Sequence, residues 1–367
     1  MKRVLISGGG TGGHIYPAIT IVKEMAKLEE TEFLYVGSKN GLESEIVPKE
    51  GISFVTLETQ GLTRRLTAQN ILALAKSGIA MVKAAAIIRK FKPDVVVGTG
   101  GFVCGPVLLT AALMGIPTLI QEQNVIAGIT NKILSSFVDV VAIGYEDASR
   151  AFHRAKRVVY TGNPVRPEVL SVTREEGRKR FDLEDSTFTV LVAGGSRGAR
   201  SINKAMIGVH HHFKDTLNLR IIHVTGKLDY EWVVEELTKG GDVSANSQII
   251  PYLHDMPLAL AAADLAIFRA GAVGLAEIAD RGIPSVLIPY PFAAEDHQTY
   301  NAHAFVASGA AKMIVDKFLT SEELISDIEE LMGNRELLEQ MAIASASLGR
   351  PEAAKDIAKL ALSIAKK

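Results

Sequence analysis

The sequence predicts an α/β protein with two tandem domains, each built on a parallel β-sheet with helices on both faces. Short β-rich runs alternate with helical patterns along the chain, which is typical of βαβ units. The apolar strand, glycine turn and helix that begin the chain recur at residues 188–205. The length of 367 residues exceeds one ordinary domain core and suits two. We therefore expect two Rossmann-like domains.

The elements of the first half follow from its apolar runs and from the helical patterns between them. We predict strands at residues 4–7, 33–37, 53–57 and 94–98, and helices at 14–28 and 67–91. The uncharged stretch 95–121 is long enough to span a membrane. Glycines and prolines divide it, so we predict a strand, a glycine loop, a helix and a second strand instead.

The second half restarts the pattern after a junction near "TGNPVRPEV", residues 161–169. A strand is predicted in "LRIIHVTG", residues 219–226. The segment "GIPSVLIPYP" at 282–291 resembles "GIPTLIQEQN" at 115–124. In both, a helix ends at glycine, proline stops it, and a strand runs into a polar loop.

The junction predicts domains at residues 1–163 and 164–344. The C-terminal helix, within residues 345–367, is expected to pack back on the first domain. In folds of this kind the ligand lies in the cleft, where the sheets present the carboxyl ends of their strands.

Composition excludes several classes of protein. Hydrophobic residues make up 47% and charged residues 22%, which is ordinary for a globular protein. The single cysteine, Cys104, cannot form an internal disulfide and suits a reducing compartment. The net charge of −1 indicates no nucleic-acid partner. The first 164 residues carry a net charge of +5 and the remainder a net charge of −6. The basic first part suits binding to an anionic surface or to phosphates; alternatively, the asymmetry arises by chance.

The first glycine turn, "ISGGGTGGHIYPA", satisfies the dinucleotide fingerprint G-x-G-x-x-G through Gly8, Gly10 and Gly13. Dinucleotide sites also need an acidic residue at the end of the second strand. That strand ends at Gly37 and Ser38, so we expect no nicotinamide or flavin cofactor. Glycine amides at a helix N-terminus still favour another anionic ligand.

Further glycine turns lie at residues 98–106 and 194–200. The latter, "GGSRGAR", adds a hydroxyl and two cations and is the better candidate for a diphosphate site; the alternative is a tight turn with solvated arginines. A fourth turn precedes Glu277, which suits a ribose diol or is a solvated helix residue. The "DHQTYNAHA" cluster, with Gln298, is of the kind that binds sugar hydroxyls.

Taken together, these motifs resemble one family. "GGGTGGH", "GTGGFVCGP", "QEQNVIAGITNK", "TGNPVR", "GGSRGARSIN", "FRAGAVGLAEIADRGIPSVLIPYP" and "DHQTYNA" stand in the order of the MurG family of peptidoglycan N-acetylglucosaminyltransferases, in glycosyltransferase family 28. The resemblance implies the GT-B arrangement of two Rossmann-like domains. It also implies inverting transfer of GlcNAc from UDP-GlcNAc to the 4-hydroxyl of MurNAc-pentapeptide-diphospho-undecaprenol, in cell-wall synthesis, with no cofactor.

The resemblance implies a set of substrate-binding residues, donor-binding mainly in the C-terminal domain. Those of the first half are Thr11, Gly12 and Gly13, beside the donor sugar and diphosphate, and Asn124, at the GlcNAc. Those of the second half are Arg166 and Ser196 facing the nucleotide sugar, Leu253 at uracil, Ala272, Val273, Gly274, Leu275 and Ala276 at phosphate and ribose, Glu277 at the ribose hydroxyls, and Gln298 at the sugar. Ala270 and Ala276 replace hydroxyl residues usual in the family, so phosphate binding there must depend more on backbone amides.

Direct displacement needs a base for the acceptor hydroxyl and a stabilised UDP leaving group. His14 is the first candidate base, because a helix N-terminus disfavours the imidazolium and leaves a ring that accepts a proton. Glu122, at the end of a strand, is the second candidate. Alternatively, His14 only caps the helix or orients the acceptor. No acidic metal motif is evident, so we expect a metal-free mechanism.

The polyprenyl acceptor implies a peripheral protein at the cytoplasmic face of the bacterial membrane, with other cell-wall synthesis proteins as candidate partners. The segment 62–90 combines an apolar helical pattern with basic residues and suits an anionic leaflet, or is an ordinary helix with a solvated face. Its cations are Arg64, Arg65, Lys76, Lys83, Arg89 and Lys90. Three other functions stay open: a UDP-GlcNAc 2-epimerase, a glycosyltransferase with another acceptor, and a nucleotide-binding protein without activity.

Overall fold

The chain forms two units in the computed structural model, which describes residues 1–58, 68–195, 197–239 and 243–366. The first unit comprises Met1–Val165 together with Pro351–Lys367, and the second comprises Arg166–Arg350. The return to the first unit therefore starts at Pro351, a few residues beyond the predicted position near 345.

The first unit alternates strands and helices from its first residue. Its elements up to Val165 are β1 (Lys2–Gly8), α1 (Gly12–Leu28), β2 (Thr31–Gly37), α2 (Glu43–Lys49), β3 (Ser53–Thr56), α3 (Ala68–Phe91), β4 (Val95–Gly100), α4 (Cys104–Leu113), β5 (Thr118–Glu122), α5 (Ile129–Leu134), β6 (Val140–Ile143), a 3₁₀ helix (Glu146–Phe152) and β7 (Val158–Tyr160).

The second unit repeats this alternation. Its elements are α6 (Pro167–Ser171), α7 (Arg174–Arg180), β8 (Phe188–Ala193), α8 (Arg200–His212), β9 (Leu219–Val224), α9 (Tyr230–Thr238), β10 (Ser247–Ile250), α10 (Met256–Ala262), β11 (Leu265–Phe268), α11 (Ala272–Asp280), β12 (Ser285–Leu287), a 3₁₀ helix (Ala294–Asp296), α12 (His297–Ala307), β13 (Ala311–Met313), a 3₁₀ helix (Asp316–Phe318), α13 (Ser321–Gly333) and α14 (Arg335–Leu348). The last helix, α15 (Ala353–Ile364), belongs to the first unit.

Both sheets are parallel and have the same strand order. The first runs β3-β2-β1-β4-β5-β6-β7, and the second runs β10-β9-β8-β11-β12-β13. In each, the order reverses between the first and fourth strands, and ligands of such sheets bind outside the carboxyl ends at this switch point. The topology therefore predicts ligand binding at the turns after β1 and β4 in the first sheet, and at those after β8 and β11 in the second. The predicted fold class, two parallel α/β domains, is confirmed.

The first sheet is buried on both faces. One face packs on α3 and α4, with Leu5, Val96 and Ile120 in that core. The other packs on α1 and on α15, which contributes Ile357 and Ala361. The uncharged stretch predicted to be strand, loop, helix and strand is β4, α4 and β5. Among the described residues, no helix combines the length and apolarity needed to cross a membrane.

The core of the second unit contains a directed chain of hydrogen bonds through two buried histidines. The Nε2 of His223 lies 3.0 Å from the Oδ1 of Asn203, whose amide group donates to the Thr225 carbonyl and to Asp229. His223 therefore carries its hydrogen on Nε2, and its Nδ1 accepts from the Nε2 of His210 at 3.2 Å. Burial lowers the pKa of His223 to about 3, and burial with the nearby His223 ring lowers that of His210 well below its usual value.

These two histidines should make the second unit sensitive to acid. Because their pKa values are lower in the folded state, these histidines take up protons when the unit unfolds. Their contribution to the free energy of unfolding is therefore complete above about pH 6.5 and is lost as the pH falls. We expect His223 alone to lower the free energy of unfolding of this unit by about 2 kcal/mol between pH 7 and pH 5, with His210 acting in the same direction. Trp232, the only tryptophan, lies on α9 of this unit, so its fluorescence during urea unfolding measures the change. The variant His303→Gln, at an exposed position of the same unit, should keep the same pH slope, and an unfolding midpoint that stays constant over this range would refute the assignment.

Candidate active site

The site of the first unit begins where β1 ends and α1 starts. Thr11 is the extended N-cap residue of α1, and its carbonyl accepts the N–H groups of His14 and Ile15. Gly12 and Gly13 form the first turn of the helix. Thr11 and Gly13 are exposed, so the amide end of α1 is accessible to an anion.

The glycine turns after β1 and β4 lie against each other at the switch point. The Gly9 N–H donates to the Gly100 carbonyl at 3.2 Å. A Cβ on Gly101, where φ is +87°, would collide with the backbone of Gly9, so only glycine fits this approach. The predicted turns at residues 8–13 and 98–106 thus form one structure, which the sequence pattern did not indicate.

A buried carboxylate from α2 supports this structure. One oxygen of Glu43 accepts the Gly10 N–H at 3.1 Å, and the other accepts the backbone N–H and the hydroxyl of Ser38. Burial acts to raise the pKa of Glu43, but these hydrogen bonds outweigh it and lower the pKa below its usual value. Glu43 therefore holds the glycine turn as an anion.

The position of Glu43 explains why the dinucleotide fingerprint is misleading here. Gly37 and Ser38 do end β2, as the sequence indicates, and no carboxylate stands at the strand tip. The carboxylate that reaches this region comes from α2 and binds the N–H of Gly10. The carboxylate of Glu43 thus binds the glycine turn itself, where a dinucleotide site would have an acidic residue that binds ribose. We did not identify Glu43 from the sequence.

His14 has one ring nitrogen turned toward the protein interior. Its Nδ1 lies 2.9 Å from the Thr99 carbonyl and 3.1 Å from the Oε1 of Gln123, and both oxygens can only accept. The neutral ring therefore carries its hydrogen on Nδ1 and has the lone pair on Nε2. The ring fits here because Gly100 lacks a Cβ, which would lie 2.8 Å from the ring atoms.

Glu122 is buried and accepts hydrogen bonds at both oxygens. Oε1 accepts from the backbone and side-chain nitrogens of Asn124, and Oε2 accepts from the Gly128 N–H and the Asn131 amide. Three of these donors belong to the loop that follows β5, and the fourth, Asn131, lies on α5. The second candidate base thus holds the loop that carries Asn124, which is one of the predicted GlcNAc-binding residues.

The glycine turn after β8 is the predicted diphosphate site of the second unit. Ser196 lies outside the described residues, so its predicted contact is not located. Gly195 and Gly198 both have positive φ. The Arg200 guanidinium binds Asp229 at 2.7 Å and stacks on Trp232 at 3.4 Å. Arg200 is therefore held on the protein and supports the start of α8.

The turn after β11 places Glu277 at a buried ion pair. Ala272 opens α11, and Glu277 lies on its buried side. Its Oε1 accepts a hydrogen bond from the Nε of Arg166 at 2.9 Å, and the Nη2 of Arg166 lies 2.9 Å from the same oxygen in an ion pair. Burial raises the pKa of Glu277 above its usual value, although Arg166 opposes that shift. The structure thus brings together two predicted residues that lie 111 positions apart.

The remaining predicted residues of this unit occupy the same α11 turn or nearby loops. Leu275 is buried, while Val273, Gly274 and Ala276 are half-buried. Gln298 lies in the first turn of α12, where its Oε1 accepts the Tyr290 N–H at 2.9 Å. Leu253 is buried between β10 and α10. No group of three or more potential metal ligands occurs in the part of the chain that the structure describes.

A cluster behind the α11 turn was not predicted. Arg269 donates to the carbonyls of Ile288 and Pro289 and to Asp316, and it also donates to the hydroxyl of Ser201. It joins the turn after β11 to the end of β12 and to the first turn of α8. The only sequence signal was that Arg269 directly follows a buried strand.

Comparison with known proteins decides the family. The model of the glycosyltransferase family 28 N-terminal domain matches residues 4–143, and that of its C-terminal domain matches residues 189–359. The chain belongs to glycosyltransferase family 28. This family-28 chain is 46% identical to a Desulforamulus reducens protein over 97% of both chains. That relative is named UDP-N-acetylglucosamine–N-acetylmuramyl-(pentapeptide) pyrophosphoryl-undecaprenol N-acetylglucosamine transferase.

Two further comparisons agree with the family-28 assignment. A Thermoanaerobacter protein of the same name is 46% identical over 99% of this chain and 100% of its own. The crystal structure of Acinetobacter baumannii MurG superimposes with a TM-score of 0.79 at 30% identity, over 99% of this chain and all of that one. The family-28 chain is thus a glycosyltransferase.

Proposed function

We propose that the chain transfers GlcNAc from UDP-GlcNAc to the 4-hydroxyl of MurNAc-pentapeptide-diphospho-undecaprenol, with inversion at the anomeric carbon. The names of its 46% identical relatives support the substrates. The orientation of His14 carries the chemical part of the proposal, because a neutral ring with its hydrogen on Nδ1 has its lone pair on Nε2, the atom that can accept a proton.

In this reaction the acceptor hydroxyl attacks C1 of the GlcNAc group while the bond between C1 and the diphosphate oxygen breaks. The proton of the hydroxyl passes to Nε2 of His14, and UDP leaves as an anion. The turns after β8 and β11 of the second unit supply N–H groups suited to negative charge on the diphosphate. We assign Glu122 to holding the loop of Asn124 rather than to proton transfer.

The reaction is tested with labelled UDP-GlcNAc and a short-chain diphospholipid acceptor that carries MurNAc-pentapeptide. We expect equal amounts of UDP and of a lipid-linked disaccharide, and no product from an acceptor that lacks the MurNAc 4-hydroxyl. An epimerised sugar nucleotide formed without acceptor, or UDP released without disaccharide, would contradict the proposal.

We further propose that Glu277 binds the ribose hydroxyls of the donor. Charge-assisted hydrogen bonds of a buried carboxylate contribute about 1.5–3 kcal/mol each. Glu277→Gln should therefore raise the Kd for UDP about 10- to 100-fold, measured by calorimetry. The exposed variant Glu235→Gln serves as a control. The probe 2′,3′-dideoxyuridine diphosphate lacks both ribose hydroxyls. If Glu277→Gln weakened its binding as much as that of UDP, Glu277 would not act on the ribose hydroxyls.

We propose that the face formed by α3, α4 and α5 contacts the cytoplasmic leaflet of the bacterial membrane. Exposed apolar side chains on this face are Ile79, Val82, Leu113, Ile129 and Ile133. Exposed cations on the same helices include Lys83, Arg89 and Lys90. Such a combination suits anionic lipids. Arg64 and Arg65 lie outside the described residues, as does the side chain of Lys76.

Sedimentation with vesicles tests the membrane proposal. The chain should bind vesicles of anionic lipid, and about 1 M salt should release most of it, because charge attraction is screened at that ionic strength. Val82→Asp with Leu113→Asp should reduce binding about tenfold or more, since both side chains are largely exposed. The pair Leu217→Asp and Leu228→Asp, exposed in the second unit, is the matched control. Equal loss in the two pairs would contradict the assignment of this face.

A further inference from the structure

The interior partner of His14 belongs to a ring of buried amide side chains. Gln123 lies at the end of β5, Gln121 two residues before it in that strand, and Asn163 after β7. All three are at most 5% exposed. Each amide can be placed in two orientations, and the question is whether its neighbours permit both.

A backbone carbonyl fixes the orientation of each amide, because a carbonyl can only accept. The Nδ2 of Asn163 lies 2.9 Å from the Gln123 carbonyl. The Nε2 of Gln121 lies 3.2 Å from the Glu122 carbonyl. The Nε2 of Gln123 lies 2.7 Å from the Thr99 carbonyl. No amide can be reversed without placing two acceptors together.

The amides also connect to one another in a consistent direction. Gln121 donates to the Oδ1 of Asn163 at 2.9 Å, and Gln123 donates to the Oε1 of Gln121. The Oε1 of Gln123 is therefore the atom that faces Nδ1 of His14. Two acceptors, this oxygen and the Thr99 carbonyl, thus meet one ring nitrogen.

We propose that Gln123, held by Gln121 and Asn163, is a positioning residue that sets the tautomer of His14. Together with the Thr99 carbonyl, its fixed Oε1 keeps the hydrogen on Nδ1 and the lone pair on Nε2. The proposal rests on the role of His14 in the proposed transfer reaction. Gln123 touches no reacting atom and acts through the histidine ring.

Other titratable groups near this part of α1 are engaged elsewhere. Glu43 accepts from Gly10 and Ser38, and Glu122 accepts from its own loop. The Tyr35 hydroxyl donates to the Gly8 carbonyl, and the Cys104 thiol to the Ser7 carbonyl. The Tyr16 ring lies against Gly12. The described hydrogen bonds of Nδ1 are therefore to uncharged oxygens, so a new charge at residue 123 should have a clear effect.

Nitrogen-15 NMR of the histidine-labelled full chain tests the tautomer without substrate. The His14 signal is identified by its absence from His14→Ala. We expect the Nδ1–H tautomer in the neutral ring. Finding the Nε2–H tautomer would overturn the proposal, and this result does not depend on whether the transfer reaction occurs.

The variant Gln123→Glu places a carboxylate beside Nδ1, so it should raise the pKa of His14 by about 1–3 units. The acidic limb of the kcat profile should move up in pH by the same amount, with the KM for UDP-GlcNAc unchanged. The exposed Gln340→Glu adds the same charge in the second unit and should leave both quantities unaltered. An unmoved His14 titration in a folded Gln123→Glu would overturn the proposal.

A second variant keeps the test decisive if the buried charge prevents folding. Gln123→Met has a similar length but no amide oxygen, so Nδ1–H keeps only the Thr99 carbonyl; the fraction of the Nε2–H tautomer should rise, and kcat should fall in proportion. Wild-type tautomer and kcat in this variant would also overturn the proposal. Transfer activity absent from the wild type, with the Nδ1–H tautomer present, would contradict the proposed function and leave the role of Gln123 intact.

Discussion

Replacing His14 with alanine should lower kcat for GlcNAc transfer about 10²- to 10⁴-fold, the usual contribution of a positioned general base. The Kd for UDP-GlcNAc should stay close to that of the wild type, because the ring's interior contacts are to Thr99 and Gln123 of the first unit. Initial rates with saturating donor and acceptor, together with calorimetric binding of UDP-GlcNAc in the absence of acceptor, measure the two quantities.

His153 provides the matched control for this variant. It is an exposed histidine of the first unit, and His153→Ala should leave kcat and Kd unchanged. The assignment of His14 as the base would fail if His14→Ala raised only the KM for the acceptor. That result would instead support a role in capping the helix or orienting the acceptor.

Replacing Glu43 with alanine should destabilise the first unit by about 1–3 kcal/mol, because it leaves three partly buried donors without their anionic acceptor. Those donors are the N–H groups of Gly10 and Ser38 and the Ser38 hydroxyl. Glu43→Gln should be intermediate, since an amide oxygen can accept but its nitrogen would face a donor.

The two units allow this effect to be located. Circular dichroism reports on helices of both units, whereas fluorescence of Trp232 reports on the second. We expect Glu43→Ala to bring forward the circular dichroism transition in urea while the fluorescence transition stays in place. Glu45→Ala, an exposed position on the same helix, is the control. A fluorescence transition that shifts as much as the circular dichroism transition would refute a local role.

The glycine turn also links Glu43 to function. If the carboxylate holds the turn that opens α1, Glu43→Ala should lower kcat for transfer even at temperatures where the variant is fully folded. Rates measured well below the unfolding midpoint separate this effect from loss of folded protein.

The fold was predictable because local sequence patterns record it directly. Apolar runs such as residues 94–98 are buried on both faces in a parallel sheet, and glycine turns mark where strands pass into helices. Proline and glycine divided the uncharged stretch 95–121 into elements that the structure confirms. The motifs also identified the family before any geometry was known, because several weak signals stood in one order.

The site was predictable only in part. The motifs indicated His14 and Glu277 as candidates, but the contacts of Glu43, Gln123 and Asn163 depend on residues 33 to 109 positions away. No periodicity records such pairs. Glu122 illustrates the limit. A carboxylate at the end of a strand suggests a base, but its four hydrogen bonds show that it holds the segment that follows β5.

The sequence by itself determined the alternation of strands and helices, the glycine turns and the membership of a glycosyltransferase family. These features depend on the order of residue types along the chain, because strand burial and turn geometry are determined by residues that are close in sequence. Only the tertiary structure decided which nitrogen of His14 holds the hydrogen and which carboxylate supports the turn. Hydrogen bonds have direction and short range, so their donors and acceptors are known only when distant segments have been brought together.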